Sequence, residues 1–326
     1  MLKQFNIVFI ILLSLFIGIN AQLISDQKNL IVSTHNSQII ESDALMTNTI
    51  TIPEGNYYIS ATYIEYIDNL KFELQGNLIA NDIIYKWPID NNNNKQNILT
   101  FYECHNLTIT GNGYIDGQGY KWWRNAILAA TGLTEDNRPN LLQIESSIGL
   151  YIEGISLFNS PRYHIRLRDM RNILIENISI TVNSKIPIFP LNTDGIDPSA
   201  ENVTIRNVNI TNYDDAIVVK PCNKSGKYCK CSSNMLIENI TTNFSVGMSI
   251  GSVSPNKHHS CVRNITFQNI VQNMPFKAIY IKTNPGNIGD GEITNIIYSK
   301  FEIYNPLWWP IYIGPQQMQQ PDGSGP

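Results

Sequence analysis

The protein has 326 residues, with 23 basic and 27 acidic side chains and a pI of about 5.7. No basic excess is available to neutralise a phosphate backbone, which argues against nucleic-acid binding. Only 15% of residues are charged, while Ile, which favours strands, and Asn, which favours turns, are prominent. This composition predicts many short strands joined by turns, and it excludes a coiled coil or a largely disordered chain.

The N-terminal segment resembles a secretory signal peptide. Lys3 supplies a positive charge, residues 5–19 form an apolar run, and Ala21 is a small residue suited to cleavage. We expect residues 1–21 to be removed and the mature protein to be extracellular, without a membrane anchor. An uncleaved anchor is the alternative, but the run is short for a spanning helix, which needs about 20 apolar residues. N-x-S/T sequons support the secretory route; their acceptors are Asn106, Asn177, Asn202, Asn209, Asn223, Asn239, Asn243 and Asn264.

Residues 22–326 show no linker and are interpreted as one domain. Asn91–Asn94 form a polar tract that we expect to be an exposed loop. The sequence stops just after an apolar strand, at Q-P-D-G-S-G-P, with nothing to cap the fold. We therefore expect the natural domain to continue beyond residue 326.

A repeat of about 30 residues organises the second half of the chain. Its copies alternate apolar and polar residues and place Asn or Gly where the chain turns a corner. They begin at Leu150, Ile173, Val203, Met235, Ile265 and Ile296. A second series has the same period, with apolar anchors at Ile217, Met248, Ile279 and Ile311.

Two strand series with one period predict an all-β solenoid of stacked coils, a parallel β-helix. A β-sandwich with coincidental spacing is the alternative. Residues between the anchors should point outward. One exposed column is predicted to contain Val218, Ser249, Tyr280 and Tyr312. The next is predicted to contain Lys220, Gly251, Lys282 and Gly314.

Three acidic residues stand at strand ends beside this face: Asp194 in N-T-D-G, and the pair Asp214 and Asp215. Coiling should bring Asp194 one layer from the pair, at about 4.8 Å per layer. Inverting glycoside hydrolysis uses an acid and a base about 6.5–9.5 Å apart, and crowding raises one carboxyl pKa to supply the acid. The alternative is that these Asp side chains only cap turns.

Three of the five cysteines fall in C-N-K-S-G-K-Y-C-K-C, directly after the strand that carries the acid pair. An oxidising compartment would favour a small closed loop there. We expect Cys222 to be bonded to Cys229 or Cys231. His258, His259 and Cys261 lack regular ligand spacing, so no metal site is predicted.

The ordered motifs N-T-D-G, D-D-A-I-V-V-K, G-M-S-I-G-S and I-K-T resemble glycoside hydrolase family 28, the polygalacturonases and their relatives. This resemblance implies a right-handed parallel β-helix and inversion without a metal or cofactor. It also implies that Asp214 is the general acid and that Asp194 and Asp215 activate water. Lys282 would contact a substrate carboxylate, and Asn192 would shape the site.

Two positions depart from the family pattern. Val246 stands where G-H-G has His, and Tyr280 stands where R-I-K has Arg. The change at Tyr280 removes half of the uronate-binding pair, so we expect a weaker preference for fully acidic polygalacturonan. The candidates to compensate by contacting the substrate are Lys220, Tyr280, Tyr312 and Lys282 on the predicted outer face, and His164 and Arg166 at outward positions in Y-H-I-R-L.

The leading hypothesis is a secreted, monomeric glycosidase acting on an acidic plant-type polysaccharide. A catalytically weak or inactive glycan-binding β-helix is the alternative, favoured by Val246 and Tyr280. A polysaccharide lyase on the same architecture is the third reading. Lyases commonly need Ca²⁺ and a basic catalytic residue, whereas N-T-D-G followed by D-D is a pattern of the hydrolases.

Overall fold

The structure is a computed structural model that describes residues 48–130, 136–184, 188–222, 225–254, 259–284 and 290–315. The predicted signal peptide at residues 1–21, and the C-terminal end that we expect to be incomplete, lie outside these ranges. Within them, no helix is long and apolar enough to cross a membrane.

The described ranges contain twenty strands, one α-helix and a 3₁₀ turn at Ile84–Lys86. The strands of the first half are β1 (Asn48–Ile52), β2 (Asn56–Ile59), β3 (Thr62–Glu65), β4 (Leu70–Leu74), β5 (Asn77–Ala80), β6 (Leu99–Tyr102), β7 (Leu107–Gly111), β8 (Tyr114–Asp116), β9 (Leu142–Glu153) and β10 (Ser156–Phe158). Those of the second half are β11 (Ile165–Glu176), β12 (Ser179–Thr181), β13 (Ile196–Thr211), β14 (Asp215–Val219), β15 (Ser232–Asn243), β16 (Gly247–Val253), β17 (Ser260–Asn273), β18 (Ile279–Thr283), β19 (Gly291–Tyr304) and β20 (Ile311–Pro315). The helix is α1 (Tyr120–Ala130).

All strand pairs between coils are parallel, and each coil between the first and the last described coil pairs with the one before and the one after it. The pairing joins the repeats found in the sequence: Ile173 lies beside Val203, and Val203 beside Met235. The second series is also aligned, with Ile217 beside Met248. The predicted all-β, right-handed parallel β-helix is confirmed.

Ladders of aliphatic side chains fill the interior of the coil. Ile173, Val203, Met235 and Ile265 are buried, because strand alternation turns every second residue inward. The last described coil differs: Ile311 is 58% exposed, since no described residue stacks on that end.

Asparagines turn the corners of the coils, as the repeat predicts. Asn177, Asn207, Asn239 and Asn269 all have φ between 54° and 56°, a left-handed conformation that Asn tolerates better than most residues. Their side-chain amides also bond from coil to coil, for example Asn207 Nδ2 to Asn177 Oδ1 at 3.2 Å. The same residue type therefore supplies both the turn and a ladder that aligns the stack.

The helix α1 is an element that the sequence analysis did not predict. It interrupts the coils between β8 and β9, and its Trp122 and Trp123 are 1% exposed. Trp122 packs edge-on against Trp87, and the Trp123 indole N–H donates to the Ser160 carbonyl at 3.0 Å. The helix thus fixes the turn that precedes β11.

The predicted outward columns are only partly correct. Val218, Ser249, Tyr280 and Tyr312 are aligned as expected, but the first three are buried, with Ser249 at 0% and Tyr280 at 4% exposure. In the second column Lys282 does lie beside Gly314. An irregularity after Ile250 shifts the register, so Gly251 has no place in that column.

Candidate active site

The three predicted carboxylates come together at one edge of the coil. Asp194 precedes β13, Asp214 precedes β14, and Asp215 is the first residue of β14. One carboxylate oxygen from each lies within 4.8 Å of the others. These closest oxygens are nearer than the separation of about 6.5–9.5 Å that the sequence analysis expected.

Asp215 is held in its charged form. Lys282 Nζ lies 2.5 Å from Oδ2, and the Ser249 hydroxyl donates to Oδ1 at 2.5 Å. Burial opposes ionisation of this carboxyl, but the charges of Lys282 and Lys220 and the two hydrogen bonds outweigh it. The pKa of Asp215 is therefore lowered from its ordinary value.

The pKa of Asp214 is shifted in the opposite direction. Burial, followed by repulsion from Asp215, raises its pKa above the ordinary value for Asp. Its carboxylate accepts the backbone N–H of Asn192 at 3.0 Å and that of Asp215 at 2.9 Å. The carboxyl is therefore fixed in position, and the residue remains half-exposed to the outside of the coil.

Asp194 is 3% exposed and forms no ion pair with any described residue. Burial, with repulsion from Asp197, Asp214 and Asp215, raises its pKa well above the ordinary value. Its Oδ1 accepts no hydrogen bond from any described residue. Because buried polar atoms are nearly always paired, this oxygen is suited to accept a bond from water or substrate.

Asp197 was not singled out in the sequence, although it follows Asp194 by three residues in N-T-D-G-I-D. It is 2% exposed, and burial raises its pKa to about 6. Lys220 Nζ lies 3.8 Å from its Oδ2. Lys220, predicted to face the substrate, is thus half-buried and directed at Asp197; its role toward a substrate stays a prediction.

The expectation that His164 faces outward is wrong. Its side chain is fully buried, because the turn before β11 folds back over it and the Ser160 N–H donates to Nε2 at 3.3 Å. Nδ1 therefore carries the proton and donates to the Asp194 carbonyl at 3.0 Å. Burial lowers the pKa of His164 to about 4, so the ring supports Asp194 as a neutral imidazole.

Asn192 holds the acid through its backbone rather than its side chain. Its φ of 57° turns the N–H toward Asp214, while its Oδ1 accepts from Arg138 Nη2 at 2.9 Å. Arg138 is 6% exposed, pairs with Asp136 at 2.7 Å and donates to the Leu191 carbonyl at 2.6 Å. Arg138, which the sequence analysis missed, thus braces the turn that positions Asp214.

Comparison with known proteins identifies the family of the chain. The model of glycosyl hydrolases family 28 matches residues 43–322. The chain belongs to this family. A polygalacturonase of Cryptomeria japonica is 31% identical over 64% of the chain and 38% of its own length. A probable endo-xylogalacturonan hydrolase A of Neosartorya fischeri is 28% identical over 78% of the chain and 60% of its own length.

A solved structure shows the same fold. The endo-xylogalacturonan hydrolase from Aspergillus tubingensis superposes with a TM-score of 0.68 at 26% identity, over 79% of the chain and 67% of that protein. The chain therefore spans about 38% to 60% of the length of the two curated relatives, and two thirds of the solved one.

Tyr280, at the Arg position of the family-28 pattern R-I-K, is not an open platform for sugar stacking as expected. Its ring lies 4.0 Å from Lys277 Nζ and 4.7 Å from Lys282 Nζ, measured to the ring centroid. Lys277 is 3% exposed and also lies over Trp308 at 4.8 Å and Tyr312 at 4.9 Å. Where the family carries a guanidinium, this chain has an aromatic ring between two ammonium groups.

Val246, at the His position of the family pattern G-H-G, contacts Asp214 through its backbone. Its N–H donates to the Asp214 carbonyl at 2.8 Å, and its side chain is half-exposed. An aliphatic side chain offers no charge or hydrogen bond there. Burial and Asp215 raise the pKa of Asp214, and the charge of Lys282 opposes them.

Two disulfides close the segment after β14. Cys222 is bonded to Cys229, one of the two predicted partners, and Cys231 to Cys261; among the described residues, Cys104 remains a buried thiol. Asp169 anchors the same loop by accepting the Cys229 N–H at 2.8 Å.

Among the described residues, two groups of side chains have the proximity that a metal site requires. One is the carboxylate trio, in which Asp215 already binds Lys282. The other joins His259, Cys261 and Glu292, but the Cys261 sulfur is in a disulfide and offers no thiolate. His258 lies outside the described residues.

Proposed function

We propose that this chain is a secreted glycosidase that hydrolyses a galacturonan-type polysaccharide. The observation that carries the proposal is a cluster of three carboxylates, Asp194, Asp214 and Asp215, in which neighbouring groups differ in pKa. The pKa of Asp214 is raised and that of Asp215 is lowered. Neighbouring carboxyls with separated pKa values are the arrangement that divides acid and base roles. Membership of glycosyl hydrolases family 28 supports the same assignment.

Asp214 is the general acid of the proposed reaction. Its raised pKa keeps a proton on the carboxyl, which passes to the glycosidic oxygen as the bond from that oxygen to the anomeric carbon breaks. The Asn192 and Asp215 N–H groups hold the carboxyl while the proton leaves, and they stabilise the carboxylate that results.

Asp194 and Asp215 position and activate the attacking water. Asp215 is the ionised group, and the Oδ1 of Asp194 has no described partner and can accept a hydrogen bond from the water. As the water oxygen bonds to the anomeric carbon, its proton passes to a carboxylate of this pair. Inversion rests on the family resemblance, and NMR of the first anomer released tests it.

The similarity to a polygalacturonase and to endo-xylogalacturonan hydrolases supports a galacturonan backbone as substrate, plain or xylose-substituted. Lys282 stays our candidate for a carboxylate contact, although Asp215 already binds its ammonium. A reducing-end assay on de-esterified, methyl-esterified and xylose-substituted galacturonans, with Asp214→Asn as the inactive reference, tests the proposal. No new reducing ends from any of these polymers would contradict it.

A glycan-binding protein without catalysis is the second candidate, and Val246 and Tyr280 favour it. It predicts binding to the same polymers with no products from the wild-type chain. A lyase would instead give unsaturated ends that absorb ultraviolet light. Secretion is part of the proposal and is supported by the disulfides and sequons; N-terminal sequencing of the secreted protein tests it. The monomeric state is also part of the proposal, and sedimentation tests it.

A further inference from the structure

A cavity of about 600 Å³ lies beside the carboxylate trio, on the side of the earlier coils. It adjoins the catalytic cluster through Asp197 and Lys220, which both line it. Tyr163, Arg166 and Arg168 also line it, and Lys227 lies on the disulfide-closed loop. A chain of sugars crossing the trio would therefore continue into this cavity.

Most charged side chains of the cavity are already paired with one another. Lys220 pairs with Asp197, Arg168 with Glu145 at 3.5 Å, and Lys227 with Glu103 at 3.1 Å. Asp169 accepts backbone N–H groups of the loop at 2.7–2.8 Å. The acidic groups of the cavity are thus satisfied by protein donors, and the repulsion they exert on an acidic ligand is reduced.

Arg166 differs from these cations. Its guanidinium makes no hydrogen bond or salt bridge with any described residue; it lies 5.7 Å from the centroid of the Tyr163 ring, and Asp197 attracts its charge without forming an ion pair. The side chain is half-buried, and burial lowers its pKa, yet a guanidinium stays charged at any working pH. It therefore has all its donors available in a partly desolvated position.

The position of Arg166 in the coil is fixed by the sheet. On β11 it lies beside Gln143 of the previous coil and Asp197 of the next, one coil of about 4.8 Å from the Asp194 layer. Arg166 and Arg168 are two residues apart on this strand, so they share a face. Of these two arginines, only Arg168 has a carboxylate partner among the described residues.

We propose that Arg166 binds the carboxylate of a uronic acid residue seated in this cavity. The proposal rests on the proposed function. It places part of the recognition of substrate carboxylates at Arg166, on the other side of the carboxylate trio from Tyr280. A planar guanidinium can hold a carboxylate with two parallel hydrogen bonds, which an ammonium cannot do. The Tyr163 ring beside it supplies an apolar wall for the sugar.

The test compares Arg166→Gln with Arg168→Gln, a matched control from the same strand and the same cavity. The ligands are galacturonate oligomers of increasing length and the same oligomers after reduction of their carboxyl groups. Dissociation constants are measured in the full secreted chain with Asp214→Asn as the common background of all variants, so that the oligomers are not cleaved during the measurement. Thermal unfolding of each variant checks the fold.

We expect Arg166→Gln to weaken binding of the acidic oligomers by about 10- to 100-fold, the range for a lost charged hydrogen bond. Binding of the reduced oligomers should change less than about twofold, as should all binding by Arg168→Gln, because a paired surface arginine contributes little. Arg166→Lys should recover only part of the loss. Equal losses on acidic and reduced oligomers, no loss, or no binding by the Asp214→Asn chain that keeps Arg166 would overturn the proposal. Binding as expected without hydrolysis by the wild type would count against the proposed function alone.

Discussion

Lys282 and Asp215 form a buried ion pair at the centre of the site, with Nζ 2.5 Å from Oδ2. The side chains are 9% and 1% exposed, so little solvent screens the attraction. The pKa of Lys282 is raised and that of Asp215 lowered, because the attraction between the charges outweighs the cost of burial. The pair therefore keeps the proposed base ionised beside an acid that holds its proton.

The pH dependence of kcat/KM should follow from this pair. Activity needs Asp215 ionised and Asp214 protonated, so it should rise at a pH below the ordinary Asp range and fall above it. Lys282→Met removes a charge that lowers both pKa values, and both limbs should move to higher pH. Breaking a buried pair also costs about 3–5 kcal/mol of stability.

A pH–rate profile of the two proteins checks this prediction. Ser249→Ala serves as the milder variant, because it removes one hydrogen bond to Asp215 and leaves the ion pair in place. It should move the rising limb in the same direction by a smaller amount. Identical profiles for the wild type and both variants would show that these contacts do not set the pKa of the base.

Asp214→Asn should abolish hydrolysis while the protein stays folded. An amide cannot supply the proton, and losing general acid catalysis costs about 10²–10⁴-fold in rate. The amide oxygen of the variant can still accept one of the two N–H groups that hold Asp214. Reducing-end assays are compared with thermal unfolding, and Asp90→Asn, in an exposed turn, is the control. Turnover near that of the wild type would remove Asp214 from the acid role.

His164 should make stability depend on pH between about 4 and 6.5. Burial lowers its pKa in the folded chain to about 4 from 6.5, so between those values the unfolded state binds a proton that the folded state does not. Stability from this group is therefore complete above pH 6.5 and is lost as the pH falls toward 4. The full shift corresponds to about 3 kcal/mol.

Urea unfolding at acidic and neutral pH measures this effect as a difference between the wild type and His164→Gln. The variant should be less stable at neutral pH, because it loses the imidazole that bonds to both the Ser160 N–H and the Asp194 carbonyl. It should also lose less stability on acidification than the wild type does. An equal loss in both proteins would assign the acid sensitivity to other groups.

The Cys222–Cys229 disulfide should stabilise the loop that walls the proposed uronate cavity. Closing a loop of this length reduces the entropy of the unfolded chain and so raises the free energy of unfolding by about 2–3 kcal/mol. The double variant Cys222→Ser/Cys229→Ser should unfold at lower urea, and Cys104→Ser, which touches no disulfide, is the control. Peptide mapping of the secreted protein should find the link between Cys222 and Cys229; free thiols at both positions and at Cys231 would contradict it.

The sequence predicts the coils well because their signals are local and repeated. A period of about 30 residues, buried aliphatic anchors and Asn at corners each recur, so the alignment of Ser249 with Tyr280 could be read directly. The exposure of each side chain could not be predicted in this way, because it depends on which turns and loops cover it. His164 was expected to face outward, yet the turn at Ser160 buries it, and Arg138 reaches the site from a separate segment.

Tyr280→Arg should not by itself restore a preference for acidic polymer. The Tyr280 ring now contacts the ammonium groups of Lys277 and Lys282, with contacts of this kind worth about 0.5–2 kcal/mol each. A guanidinium at position 280 would be repelled by both ammonium groups, whereas the tyrosine ring attracts them. The single variant should therefore lose stability and gain little activity on de-esterified polygalacturonan.

The double variant Tyr280→Arg/Lys277→Asn removes one of these like charges and leaves the introduced guanidinium two residues from Lys282 on one strand. A guanidinium can then hold a carboxylate with two hydrogen bonds, so the ratio of kcat/KM on de-esterified to methyl-esterified polymer should rise about tenfold or more. Lys277→Asn alone is the control, because it keeps the ring and should not raise the ratio. If the single Tyr280→Arg variant raises the ratio as far as the double one does, Lys277 does not restrict this position. If neither variant changes the ratio, the side chain at this position does not read the carboxylate, and acid recognition lies elsewhere in the cleft.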